Sequence, residues 1–374
     1  MHITRIQVVN FRNIREAEIT PGGGVNLLVG RNAQGKTSFL EAVNFLAETK
    51  SPRTSSHADL VSFDAETSNL SAKAVAGGRR LELSVAFDRN SGRKLKLNGV
   101  EPAGISEYIG NLITVYFCPA DMELVSGPPG GRRRALDVLL AETDKKYLYG
   151  LRAYYKILKQ KNALLAEIRA GRSGGEGLDE WDIQLAGSGA EIIRSRHAAV
   201  ESLSPEFKSV NLEISGGRET AGAEYATVPG VAPGKMGEGE IKDALIGEMR
   251  RKRPLELHLG ISLAGPHRDD AVLTLDGREA KKYASFGQQK MMSLSLKTAF
   301  ARYIKSKTGE TPVMLLDDLF SEFDEARLGD LMKMLAGEKG QMFIAALDEK
   351  QSSPAEKIFS VEGGKIIEKQ EHRA

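Results

Sequence analysis

The residues best suited to chemistry form one run, Gly30-Arg31-Asn32-Ala33-Gln34-Gly35-Lys36-Thr37, which fills the pattern G-x-x-x-x-G-K-[ST]. A strand-like stretch over 25–29 leads into it. A helical pattern over about 36–48 leaves it, with Phe39, Leu40, Val43, Phe45 and Leu46 as its apolar positions. In that setting the glycines let backbone N–H groups turn inward around phosphate oxygens, and the helix N-terminus adds partial positive charge. Lys36 is expected to reach the β- and γ-phosphates and to be catalytic. Thr37 is expected to ligate Mg²⁺, and the whole segment through Ser38 to hold the nucleotide. The sequence has no Asn-Lys-x-Asp segment of the kind that reads guanine, so ATP is the expected nucleotide.

Two further groups complete a chemical set. Val313-Met314-Leu315-Leu316-Asp317-Asp318 is an apolar run ending in two carboxylates. Buried parallel strands read this way, and ligands bind at their C-terminal ends. Asp317 is expected to hold Mg²⁺, and Asp318, facing the other way, to polarise an attacking water. Ser285-Phe286-Gly287-Gln288-Gln289-Lys290 opens a helix expected over about 287–306. A hydroxyl and a small residue at a helix N-terminus make a second phosphate clamp.

Around these groups lies an ordinary soluble composition. Of 374 residues, 41% are hydrophobic and 27% charged, which argues against a disordered or fibrous chain. The single cysteine, Cys118, excludes an intrachain disulfide and a cysteine-rich zinc site, and no HExxH occurs. There is no apolar stretch of membrane-spanning length and no secretory h-region, so a cytoplasmic protein without a membrane partner is expected.

Strands are expected at 3–9, 69–76, 81–88, 93–98, 112–117 and 341–345, with Asn10–Asn13 as a turn and hairpins around Asp276-Gly277 and Gly363-Gly364. The middle of the chain is helical. Leu140, Tyr147, Leu151, Tyr154, Leu158, Leu165 and Ile168 make a heptad seam in which Asp144 and Lys161 occupy two positions. After the turn Gly171–Gly177, Leu178, Trp181, Leu185 and Ile192 restart it, giving a short antiparallel helical hairpin. Residues 215–240 are expected as loop or irregular β structure, and 241–252 as a helix ending before Pro254.

The order of motifs resembles that of ABC-type ATPases. There a serine–glycine–glutamine signature binds the γ-phosphate held by another subunit. Ser285, Gly287 and Gln288 fit it, and Ser321-Glu322-Phe323-Asp324 resembles the D-loop. Within that class the chain resembles the RecF family of bacterial recombination mediators. The segments that carry the likeness include Asn10–Asn13, Ser51–Ser55, Phe117–Asp121, Arg132–Asp137, Gly265–Asp270, Gly287–Gln289, Leu315–Asp318 and Val361–Ile366. The resemblance implies an α/β ABC-type head, a phosphate-loop sheet plus an antiparallel β subdomain, with an inserted helical lobe. The expected divisions are 1–120 and 258–374 for the head and 121–257 for the lobe.

The resemblance also implies ATP-dependent dimerisation on single-stranded, gapped or junction DNA. It implies work with RecO- and RecR-type mediators in recombinase loading, replication restart and SOS induction. Ala120 stands where relatives have glutamate, and Ala345-Ala346-Leu347-Asp348 lacks the switch histidine of ABC heads, so only weak DNA-dependent ATP hydrolysis is expected.

The net charge is only +2, so DNA contact requires local patches. Candidates are Arg79-Arg80, Arg132-Arg133-Arg134 and Arg250–Arg253, with Arg132, Arg133, Arg134, Arg251 and Lys252 as the residues singled out to line a groove. His267 and Arg268 are expected to be structural or near the nucleotide, and Arg12, Arg53 and His57 are candidates for adenine contact. The competing classes are a transporter motor and an SMC-like tethering head. The long separation of phosphate loop and signature argues against the first, and the shortness of the hairpin against the second.

Overall fold

The computed structural model describes residues 1–90, 92–319, 329, 331, 333–335, 337–348 and 355–369. The D-loop-like Ser321–Asp324 segment lies outside these. The chain opens with β1 (His2–Phe11), β2 (Ile14–Ile19), β3 (Val25–Val29) and α1 (Lys36–Glu48), then β4 (Thr67–Ala76), β5 (Arg79–Asp88), β6 (Arg93–Leu97), the one-turn α2 (Ile105–Tyr108) and β7 (Thr114–Phe117). It continues through α3 (Glu123–Ser126), α4 (Pro129–Thr143), α5 (Lys145–Arg169), α6 (Leu178–Ile214), β8 (Ala221–Ala226), α7 (Glu238–Leu259), β9 (Asp270–Leu275), β10 (Arg278–Glu279) and α8 (Ala280–Tyr283). The last described elements are α9 (Phe286–Thr308), β11 (Val313–Leu316), β12 (Met342–Ala346), β13 (Lys357–Glu362) and β14 (Lys365–Glu368).

These elements form two compact units, one of residues 1–122, 209–219 and 284–374, the other of 123–208 and 220–283. The expected head–lobe division at 257/258 thus stands against a division at 283/284, which groups β9 with the lobe.

The first unit holds two sheets. One has the order β14-β13-β3-β12-β11-β7, and its five strands β13, β3, β12, β11 and β7 pair in parallel. Every residue of β7, β11 and β12 is buried, as apolar runs covered on both faces require. The parallel register brings the C-terminal ends of these strands to one edge, where Leu316 pairs with both Phe117 and Ile344. The other sheet, β2-β1-β4-β5-β6, is antiparallel and alternates. On β5, Leu83, Val85 and Phe87 face the core while Glu82 and Ala86 face out. Phe45 of α1 packs on Phe11 and Phe87 at centroid distances of 6.2 and 5.1 Å. β1 continues through Phe11, so the expected turn at Asn10–Asn13 shrinks to Arg12-Asn13, and β2 follows directly.

The second unit departs from the continuous seam. α4 stops at Thr143, and Asp144 caps α5 by accepting a 2.8 Å bond from the Lys146 N–H. Asp144 is therefore a helix cap and not a seam residue. Lys161, the other polar seam position, is fully buried between Asp182 (2.8 Å) and Glu256 (2.9 Å). α7 runs past Pro254, against expectation. The turn beyond the proline is held by Arg253, which pairs with Asp179 and Asp182, and by the buried Glu256–Lys161 pair. β10-β9-β8 form a small sheet whose turn uses positive φ at Asp276 and Gly277.

Candidate functional site

The phosphate loop sits where β3 enters α1, at the C-terminal edge of the parallel sheet. Two positions in it carry positive φ, Ala33 at 63° and Gly35 at 119°. Gly30 permits close approach of β13, since a Cβ there would lie 2.2 Å from the Val361 carbonyl oxygen. Gln34 fixes the loop by accepting backbone bonds from Gly363 and Gly364 at 2.8 and 2.9 Å. The first turn of α1 contains no acidic residue, so its N-terminal N–H groups and partial positive charge face the loop uncompensated.

A cavity of about 590 Å³ opens here, lined by Asn32, Ala33, Gly35, Lys36, Thr37 and Ser38 from the loop, and by Asp317 and Asp318 from beyond β11. Gly30, Arg31 and Gln34 shape the loop without lining the cavity. The Lys36 ammonium donates to the Gly30 carbonyl and, at 2.8 Å, to that of Arg31. Burial holds its pKa below the usual lysine range, against the pull of Asp317 and Asp318.

Thr37 Oγ1 donates to Asp317 Oδ1 at 3.1 Å, joining two residues 280 positions apart. Asp317 is 4% exposed and also accepts from the Tyr116 hydroxyl at 3.4 Å. Burial raises its pKa, the bond from Thr37 opposes that, and the neighbouring Asp318 adds to it. Burial likewise drives the Tyr116 hydroxyl up, and pushes the cavity-lining Cys118 thiol up to about 12. Asp318 is exposed and adopts φ 51°, a left-handed conformation uncommon outside glycine.

Of the adenine candidates, only Arg53 lines the cavity. It and Arg12 converge on the fully buried Glu41, at 3.1 and 2.7 Å, with Ser51 donating to the same carboxylate. His57 packs instead on Phe45 and Phe87.

Ser285 caps α9, accepting from the Gln288 N–H while the Gln288 side chain accepts from the Ser285 N–H. Ser285, Gly287 and Gln288 do not line the cavity. The same helix carries a polar stripe that the sequence did not announce. The Lys290 ammonium donates to the Asp318 carbonyl at 2.9 Å, Ser293 donates to the Asp121 carbonyl at 3.0 Å, and Lys297 pairs with the Asp121 carboxylate at 2.9 Å. Spacings of three and four put all three on one helix face. They tie α9 to the strand end at Asp318 and to the Cys118–Asp121 segment. Only the spacing 290, 293, 297 hints at this from sequence.

The expected DNA residues fare differently. Arg132 is buried and makes a two-pronged pair with Asp270 (2.8 Å each), donating also to the Leu124 and Gly127 carbonyls. It is a lobe fastener, which corrects the expectation of a groove residue. Arg133 donates to the Asp269 carbonyl at 2.7 Å, and Arg134 is exposed. Arg251 and Lys252 both pair with Glu248, at 2.7 and 3.1 Å, so the one carboxylate offsets part of their charge within α7. His267 bonds to Tyr154 and Ser262 inside the lobe, supporting the structural of its two readings.

The profile of the family described as "RecF/RecN/SMC N terminal domain" matches residues 2–368. The "DNA replication and repair protein RecF" of Lactobacillus acidophilus is 37% identical over 350 residues, which is 93% of this chain and 92% of that one. Its namesake from Halothermothrix orenii is 36% identical over 371 residues, 98% of each. Among solved structures, "the recombination mediator protein RecF-ATP in RecFOR pathway" superposes with a TM-score of 0.90 at 31% identity, covering 99% of this chain and 98% of that one. An SMC head bound to the C-winged helix domain of ScpA, at 14% identity and TM-score 0.58, shares the fold alone. An ABC-type head with a helical lobe, a full phosphate loop and an acidic strand end, matched along nearly its whole length, places this chain in the RecF family.

Proposed function

We propose that the chain is an ATP-switched DNA-binding protein of recombinational repair and replication restart. With RecO- and RecR-type partners it assists recombinase loading on single-stranded gaps and supports SOS induction. The observation that carries the reading is the convergence of Lys36, Thr37 and Asp317 on one cavity, in a chain 31% identical to a RecF structure described with ATP. The donor set fits the ligand. Backbone N–H groups and Lys36 suit phosphate oxygens, and a hydroxyl beside a carboxylate suits a hard cation such as Mg²⁺. Thr37 and Asp317 would hold that ion, which when bound offsets phosphate charge.

Asp318 orients and polarises the attacking water. Leu347 and the alanines before it line the cavity where other ABC heads place a histidine, so hydrolysis is slow and the chain works as a switch. Ser285, Gly287 and Gln288 act on the nucleotide of a second copy, completing a homodimer with two shared pockets. The test is binding of labelled gapped DNA with and without ATP. ATP is expected to raise affinity for the wild-type chain and not for Lys36→Ala, which should lose about a hundredfold in ATP affinity. Equal DNA affinity with and without ATP would overturn the switch.

A further inference from the structure

The strongest unassigned surface lies on α5. From Lys145 to Ala166 this helix contains no acidic residue and six basic ones. One of the six, Lys161, is fully buried among carboxylates. Lys145, Tyr149, Arg152, Lys156 and Lys159 follow each other at steps of four, three, four and three, and all five are exposed. At 100° per residue they fall within an arc of about 80°, and at 1.5 Å per residue the row is about 21 Å long.

Among the described residues, the side chains of Arg152, Lys156 and Lys159 make no ion pair or hydrogen bond. That separates them from Arg132, Arg251 and Arg253, each paired within its own unit. Lys146, off the row, pairs with Glu191 of α6. Tyr149 is 54% exposed between Lys145 and Arg152 of the row, and Tyr155, 43% exposed at its flank, is braced edge-on by Tyr154 at 5.7 Å.

The unpaired side-chain cations of Arg152, Lys156 and Lys159, at intervals of about 4.5–6 Å along the helix axis, match a polyanion with regularly spaced charges, and exposed rings among them offer faces on which bases stack. We propose that this face of α5 grips the phosphate backbone of a single DNA strand, with Tyr149 stacking on a base. The proposal rests on the DNA-binding reading above and names the surface that reading lacks.

The test is fluorescence anisotropy of a labelled single-stranded oligonucleotide and of its duplex, with ATP and Mg²⁺, over a range of salt. The chains compared are the wild type, Tyr149→Ala, and a triple variant carrying Arg152→Gln, Lys156→Gln and Lys159→Gln. The triple variant is expected to bind the single strand at least about tenfold more weakly at low salt, and its slope of log affinity against log salt should shrink by about two. Tyr149→Ala should lose about fivefold or more on the single strand and nothing on the duplex. Circular dichroism and ATP binding verify folding. Should the triple variant fail to fold, each single substitution is expected to reduce the slope by about 0.7. Wild-type binding with an unchanged triple variant would overturn the α5 assignment and leave the DNA-binding reading standing. No DNA binding by the wild type would overturn both. A loss confined to the duplex, with Tyr149→Ala silent, would overturn the single-strand assignment.

Discussion

The phosphate-loop cavity and the core of the lobe use the same residue types to opposite ends. In the lobe, buried charges close on one another: Arg132 on Asp270, Arg196 on Asp137, Lys161 on Asp182 and Glu256. At the cavity, Lys36 and Asp317 are also largely buried, yet both border open space and share it with the exposed Asp318. A cation that already has a carboxylate within 3 Å on either side has nothing left to offer a ligand. One held only by neutral carbonyls can exchange them for phosphate. The position of a charge therefore says less about function than whether the fold has already neutralised it.

The sharpest way to break this contrast is to open one of the closed lobe clusters. Lys161→Met leaves Asp182 and Glu256 without their shared cation and should destabilise the lobe by about 3–5 kcal/mol, read as a lower urea midpoint. A change under about 1 kcal/mol would mean that the cluster is hydrated and not closed.

A second test uses pH, because two buried groups of the lobe pull in opposite directions. Burial holds His267 down from 6.5 to about 4, and the nearby cations Arg268, Lys161 and Arg133 add to this against its bond with Ser262. Burial lifts Asp269 from 3.8 to about 6, opposed by bonds from Tyr225 and Thr227 and by Arg196 and Arg133. For His267 the folded value lies below the unfolded one, so its stability contribution is complete above about pH 6.5 and is lost as pH falls towards 4. For Asp269 the folded value lies above the unfolded one, so its penalty is complete above about pH 6 and is relieved as pH falls towards 4. The two slopes nearly cancel. Asp269→Asn removes the compensating one, and the lobe should then lose about 3 kcal/mol between pH 6.5 and 4. His267→Gln should reverse the trend. Urea midpoints at both pH values measure this, and parallel pH profiles for all three chains would contradict it.

The mildest probe lies on the head side. Lys290→Met removes the donor that holds the Asp318 carbonyl, and Lys290 itself does not line the cavity. It should slow ATP hydrolysis about tenfold, equivalent to about 1.4 kcal/mol, and leave ATP affinity unchanged. A matching loss of affinity would show that Lys290 supports the loop as a whole.

The legible parts of the sequence were those whose chemistry is local. The loop 30–37 carries its strand, glycines, lysine and hydroxyl in one stretch, and Leu315–Asp318 carries both the buried strand and its acidic end. The helix start at Ser285 was legible because its cap needs only Ser285 and Gln288. What escaped depends on partners distant in the chain. Tyr116 reaches Asp317 across 201 positions, and Ser293 reaches Asp121 across 172. The runs Arg132–Arg134 and Arg250–Arg253 look alike in sequence to any solvated basic face, and only the fold supplies Asp270 to Arg132, Glu248 to Arg251 and Lys252, and Asp179 and Asp182 to Arg253. The α5 row was half legible. The seam Tyr147, Tyr154, Leu158, Leu165 marks its buried face, and the cations are what remains on the other side. Pro254 misled because tertiary ion pairs outweigh the lost helical bond there.

If each pocket is completed by the Ser285–Gln288 turn of a second copy, ATP must bring two chains together, and sedimentation velocity with and without ATP reads this out. The wild-type chain is predicted to sediment as a monomer without nucleotide and as a dimer with ATP. Ser285→Arg should still bind ATP, since Ser285 lines no part of its own cavity, yet remain a monomer. A Ser285→Arg chain that dimerises with ATP as readily as the wild type, or a wild type whose mass is indifferent to ATP, would contradict the account.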